Sequence, residues 1–90
     1  MLTTRQYLRI IGQDTQGKIK LEKLFYIAKE EYNLSDDEYW LLKYVFIQDR
    51  MRDNICAKLH IGRTKFSTML NEALIKIEYT IRDLDKIRTF

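Results

Sequence analysis

Apolar residues recur along most of the chain at intervals of three and four, the spacing of amphipathic helices. Thr3-Thr4-Arg5-Gln6 predicts a helix start, with Thr3 as cap and Gln6 reaching back to it. Tyr7, Leu8, Ile10 and Ile11 follow, and Gly12 is read as the stop. Residues 12–17, Gly-Gln-Asp-Thr-Gln-Gly, read as a loop. A second helix is expected over Lys18–Tyr32 on the stripe Ile19, Leu21, Leu24, Phe25, Ile27 and Ala28, ending at Asn33-Leu34. Ser35-Asp36-Asp37-Glu38 is the strongest local signal: a second capping box, with two aspartates near the positive helix end. The helix it starts carries Tyr39, Trp40, Leu41, Leu42, Val45 and Phe46 and is expected to be the most buried. Gln48-Asp49-Arg50 is a polar break. A short helix should span Met51–Leu59, followed by a turn at His60-Ile61-Gly62.

The last helix should start at Arg63 or Thr64 and reach Ile87. Its apolar stripe includes Phe66, Met69, Leu70, Ala73, Leu74, Ile77, Ile81, Leu84 and Ile87. At 1.5 Å per residue it would span about 36 Å, more than a compact bundle of this size needs to cover. Either the first helices fold back over its end or a second protomer does. The expectation adopted is a homodimer through Ile77, Ile81, Leu84 and Ile87. The whole is an all-α bundle of about five helices in one compact domain. Residues 1–33 form a helical pair, and residues 34–90 hold a helix-turn-helix and the long C-terminal helix.

Composition narrows the function. Ninety residues make one small domain, and the absence of Pro with only three Gly excludes turn-dense β architectures. One Cys and one His leave no internal disulfide and no multi-ligand metal site. No Ser-His-Asp arrangement, Gly-rich phosphate loop or zinc spacing is present, so the expectation is a non-enzyme without cofactor or metal. No apolar run is long enough to span a membrane, and the first residues lack a signal-peptide core. A cytoplasmic protein is the expectation. Cys56 reads as a small packing residue, His60 as a turn residue, and the aromatic set Tyr39, Trp40, Tyr44 and Phe46 as core.

The net charge is only +3, but it is unevenly placed. Residues 32–49 hold one Lys against four acids, a net of −3. Residues 50–76 hold six basic residues against Asp53 and Glu72, a net of +4. Such a window is the footprint of a phosphate-binding surface.

The same window has the pattern of a helix-turn-helix, on about Met51–Ile77. Cys56, or less well Ala57, is small enough to face the second helix closely. Leu59 and Ile61 plug the core on either side of the turn, Phe66 and Met69 point inward, and Gly62 serves as N-cap. Arg63, Thr64, Ser67, Thr68 and Asn71 are then left on the outward face, as short polar or basic side chains suited to base edges in the major groove. Arg63 fits guanine or a phosphate, and Asn71 fits adenine. Arg50, Arg52, Lys58, Lys65 and Lys76 are the candidate contacts to backbone phosphate.

From Leu34 onward the chain resembles the DNA-binding fourth region of bacterial sigma factors, and more closely the sigma-region-four-like ArpU and RinA types of phage transcriptional regulator. The residues that carry the likeness are Ser35-Asp36-Asp37-Glu38, Leu41-Leu42-Lys43-Tyr44-Val45, Ile55–Leu59, Ile61-Gly62-Arg63-Thr64 with Phe66, and Ala73-Leu74-Ile75-Lys76-Ile77. They cover about half the chain. Gly62 stands where Ser or Thr is usual for capping, and His60 where Gly or Asn is usual for the left-handed turn position. The resemblance implies sequence-specific binding of double-stranded DNA and transcriptional control, of phage or prophage genes. Two other readings fit the pattern. One is a protein-interaction module that binds RNA polymerase or a sigma factor, with the acidic patch over 32–49 meeting a basic partner. The other is a phage DNA-packaging subunit of the small-terminase type.

Overall fold

The computed structural model of the chain describes residues 2–88, with side-chain surroundings for residues 2–84. Among these residues there are five α-helices and no strand: α1 (Thr4–Ile11), α2 (Thr15–Glu31), α3 (Asp36–Leu42), α4 (Arg52–Leu59) and α5 (Arg63–Arg88). The chain is thus an all-α bundle with a long last helix. No helix among the described residues is long and apolar enough to cross a membrane.

Both capping boxes form in full. The Thr3 hydroxyl accepts the Gln6 N–H at 3.1 Å, and the Gln6 side chain accepts the Thr3 N–H at 2.9 Å. Ser35 and Glu38 exchange the same pair of bonds at 3.1 and 3.0 Å. Each box satisfies amide groups that the first helical turn leaves without partners. After Leu42 the α3 backbone widens into a π turn, Lys43–Ile47, closed by the Gln48 N–H on the Lys43 carbonyl at 2.9 Å. Asp49 then takes φ 53° and turns the chain toward α4.

The loop expected over 12–17 is shorter than its composition suggests. Asp14 caps α2, accepting the Gly17 N–H at 2.6 Å, and helix begins at Thr15. Gly17 therefore sits inside the first turn of α2, where it is a contact and not a chain break. A Cβ there would lie 1.5 Å from the Ile11 carbonyl oxygen. Gly12 has φ −77°, so it is no left-handed cap either. Its missing side chain lets the end of α1 approach the π turn: a Cβ would be 2.9 Å from the Phe46 carbonyl oxygen.

These close approaches let α1 and α2 fold over α5, with α2 also lying on α3 and the π turn. Leu8, Leu21, Phe25, Leu41, Leu42, Phe46, Ile55 and Ile77 are almost wholly excluded from water. Phe25 and Phe46 meet with ring centroids 6.4 Å apart. Burying side chains of this size is worth roughly 1.5–3 kcal/mol each and is the main force holding the bundle. Thr80 is also fully buried, and its hydroxyl donates to the Lys76 carbonyl one turn back at 2.8 Å. Tyr32, at the end of α2, donates its hydroxyl to the Asp83 carboxylate on α5. That bond, with some burial, raises the phenol pKa above its ordinary value.

The expected aromatic core is only partly internal. Phe46 is inside, but Trp40 keeps 42% of its surface and forms an outer cluster with Tyr39 and Tyr44. The Lys43 ammonium lies 4.5 Å from the Trp40 ring centroid. Tyr39 and Tyr44 are half-buried against the edge of the core, and Trp40 packs outside it on them and on the Lys43 cation.

The glycines make opposite predictions. Gly17→Ala would ordinarily favour a helix by up to about 1 kcal/mol. Here it forces α1 off α2 and should cost about 3 kcal/mol, lowering Tm by more than about 10 °C. Gly62 has nothing within 4 Å of a Cβ and no positive φ. Gly62→Ser adds a cap and should stabilise by about 0.5–1 kcal/mol. Thermal melts of the two variants test both signs.

Candidate nucleic-acid interface

α4, a three-residue turn and α5 form a helix-turn-helix. The turn works because His60 adopts φ 56°, ψ 47°, a left-handed conformation that His tolerates better than most residues. The Ile61 N–H then bonds back to the Cys56 carbonyl at 3.0 Å, and the Phe66 N–H to the Gly62 carbonyl at 2.9 Å, opening α5. Ile55 is fully buried and Phe66 and Met69 nearly so; Cys56, Leu59 and Ile61 pack half-buried against them. Ala57 is exposed, so of the two small residues Cys56 is the one that faces inward.

This packing fixes which side of α5 faces out. Arg63, Thr64, Ser67, Thr68 and Asn71 are all exposed. At 100° per residue they fall within about 140° of the helix circumference, one continuous face over its first two and a half turns. None is taken up by the core. Arg63 has one partner, the Asp53 carboxylate of α4 at 3.5 Å, and its side chain stays 69% exposed. Asp53 also lies 3.9 Å from Arg52. Sequence reading overlooked Asp53 because an acid in a basic window looks like dilution of the charge. Its position at the start of α4 puts its carboxylate beside the guanidinium of Arg63, the first residue of α5.

The phosphate candidates divide. Arg50, Arg52, Lys58 and Lys65 are exposed. Arg50 is held in place: it donates to Gln48 at 2.6 Å and to Asn54 at 3.0 Å, and its guanidinium lies 5.4 Å from the Tyr44 ring centroid. Pre-ordered in this way, it loses less conformational freedom on meeting a ligand. Lys76 does not belong with them. Its ammonium donates to Glu38 at 2.8 Å and to the Asn33 carbonyl at 3.2 Å. Glu38 is only 4% exposed, so its carboxylate requires that cation, and Lys76 serves the fold.

The residues proposed for a dimer are corrected too. Ile77 is fully buried in the core of its own chain and offers nothing to a second copy. Ile81 packs half-buried against the same core, and Leu84 is half-buried. Both line an open groove of about 660 Å³ between α1, α2 and α5, together with Tyr7, Ile10, Ile11 and Leu24. The first helices thus fold back over the long helix, the other of the two options its length allowed. The Ile87 side chain lies outside the described residues.

Among the described residues no group of His, Cys, Asp and Glu side chains is arranged to hold a metal ion, and Cys56 is a free thiol. No family model matches the chain, and no curated protein or solved structure matches it.

Lys76 gives the sharpest local test. Lys76→Ala strands a buried carboxylate and should cost about 2 kcal/mol, less than for a fully enclosed pair because Lys76 is a third exposed. Lys58→Ala should leave stability within about 0.5 kcal/mol of the parent. Chemical denaturation of the two variants checks the difference.

Proposed function

We propose that this chain binds double-stranded DNA in a sequence-specific way, placing the first turns of α5 in the major groove. The observation that carries the reading is the five-residue face of α5: exposed, uninterrupted by apolar side chains, and held by a helix-turn-helix whose other face is core. Short hydroxyl and amide side chains reach base edges without steric conflict, and Arg63 and Asn71 have the donor and acceptor pattern for guanine and adenine. Arg50 and Arg52 lie just ahead of and at the start of α4 and would meet phosphates as that helix crosses the backbone; Lys58 and Lys65 flank the reading helix. The likeness of residues 34–77 to sigma-region-four-type regulators points to transcriptional control, of phage or prophage genes, as the task such binding serves. A cytoplasmic location goes with it.

A second reading has one observation in its favour. The cluster of exposed Trp40 with half-buried Tyr39 and Tyr44, on α3 and the π turn, has the composition of a protein-interaction hot spot. In that reading the fold contacts RNA polymerase or a sigma factor and the α5 face is merely solvated.

Selection from random duplex DNA separates the two, and should enrich one motif. Arg63→Ala and Asn71→Ala should each cost about 1–3 kcal/mol on that motif and relax preference at one position. Arg52→Ala should instead weaken binding to every sequence and reduce the slope of log K against log salt by about 0.9. Enrichment of no motif, with the Arg63 variant indistinguishable from the parent, would sink the DNA-reading proposal.

A further inference from the structure

Helix α5 carries two stripes. One is the buried row Phe66, Leu70, Ala73, Ile77 and Thr80 that packs into the bundle. The other is Glu72, Ile75, Tyr79 and Arg82, at spacings of three, four and three, which is the interval of a coiled-coil seam. At 100° per residue the second stripe lies about 150° round the helix from the first, so the bundle cannot cover it. All four residues are exposed, and Ile75 and Tyr79 keep 53% and 50% of their surface. The Arg82 guanidinium lies 5.4 Å from the Tyr79 ring centroid, extending along the same strip.

The order of charges along this strip says what fits it. Glu72 and Arg82 are equally far from Ile77 in sequence, one on each side. So are Ile75 and Tyr79. A second copy of α5 laid antiparallel, with the two-fold axis at Ile77, therefore sets Glu72 against the partner's Arg82 and Ile75 against the partner's Tyr79, each twice. A parallel copy would set like charge on like charge. We infer that the Glu72–Arg82 strip of α5 is a self-complementary surface through which two copies of this chain pair antiparallel about Ile77.

The contact is isologous, as a closed two-fold dimer requires. It differs from the pairing that the apolar stripe Ile77, Ile81, Leu84 and Ile87 had implied, because Ile77 is buried in the core and Ile81 and Leu84 line the groove with α1 and α2 within the same chain. Arg82 already bonds Glu78 at 3.3 Å, and both side chains remain 56% exposed, so the guanidinium has donors left for a second carboxylate. Four residues from each copy cover less than the roughly 1,200 Å² of a standard stable interface, so the dimer dissociates on dilution.

Sedimentation of the full chain over a range of concentrations tests the pairing without DNA. The parent should show a monomer–dimer equilibrium. Glu72→Arg alone and Arg82→Glu alone each place like charges together twice and should raise the dissociation constant by about tenfold or more. An equimolar mixture of the two single variants restores both opposite-charge pairs and should dimerise again, as should the double variant E72R/R82E. Tyr79→Asp should be monomeric. These positions are solvent-facing, so melting curves should stay near the parent's. The inference is overturned by a parent that stays monomeric throughout, by single variants that associate as the parent does, or by a mixture no better than its components. Association lost in Ile10→Asp but kept in Glu72→Arg would also overturn it, placing the interface in the groove between α1, α2 and α5. Dimerisation with no selected DNA motif would refute the DNA reading alone; a selected motif with a strictly monomeric chain would refute the pairing alone.

Discussion

The carboxylate of Glu38 is where the structure is tied together. One of its oxygens accepts both the Ser35 N–H, closing the cap of α3, and the Lys76 ammonium from the middle of α5. The same ammonium reaches the Asn33 carbonyl, so the end of the α2–α3 connection is held to α5 as well. A charge this deeply buried is tolerated only with its partner, and the partner is therefore not free to turn elsewhere. That sets the rotation of α5 about its own axis. With Lys76 directed at α3, the apolar row from Phe66 to Ile77 must face the bundle and the row from Arg63 to Asn71 must face water. The proposed DNA-reading face is in this sense a consequence of a bond made well beyond it along the helix.

The second constraint is steric. Gly12 and Gly17 let the end of α1 meet the π turn and the start of α2 at distances a Cβ would forbid, and the α1–α2 pair so formed packs on α5. This removes the need for a partner to shield Ile77, and it places the self-complementary strip on the opposite side of the same helix. α5 thus presents three surfaces in sequence around its circumference. One is apolar and internal, one short and polar over its first turns, and one mixed in charge and apolar along its middle. Each is assigned by the helical period, but which becomes internal depends on what the N-terminal pair covers.

Much of this was legible from the residues. The two capping boxes, the polar break at Gln48–Arg50, the left-handed His60 and the start of the last helix are local events. Their chemistry is complete within three or four neighbouring side chains, so spacing alone identifies them. The polar composition of the Arg63–Asn71 stripe follows from the same local spacing, while its outward turn is set with the Glu38–Lys76 bond. The missed features are those in which a residue type has two uses. Gly12 and Gly17 read as a loop because glycine breaks helices, yet here it permits contact. Lys76 read as a phosphate ligand because it lies in a basic window, yet Glu38, its counter-ion, is 38 residues away. Asp53 read as background because its partner Arg63 lies across a turn.

The sequence by itself therefore determined the order of the helices, the capping boxes at Thr3 and Ser35 and the polar character of the face from Arg63 to Asn71, since each depends on contacts one turn long. Tertiary structure alone decided that the first helices and not a second protomer cover Ile77, that Trp40 stays at the surface, and that Lys76 is held inside the fold. Those outcomes depend on which distant groups compete for the same buried surface or the same charge, and no local pattern records the result of that competition.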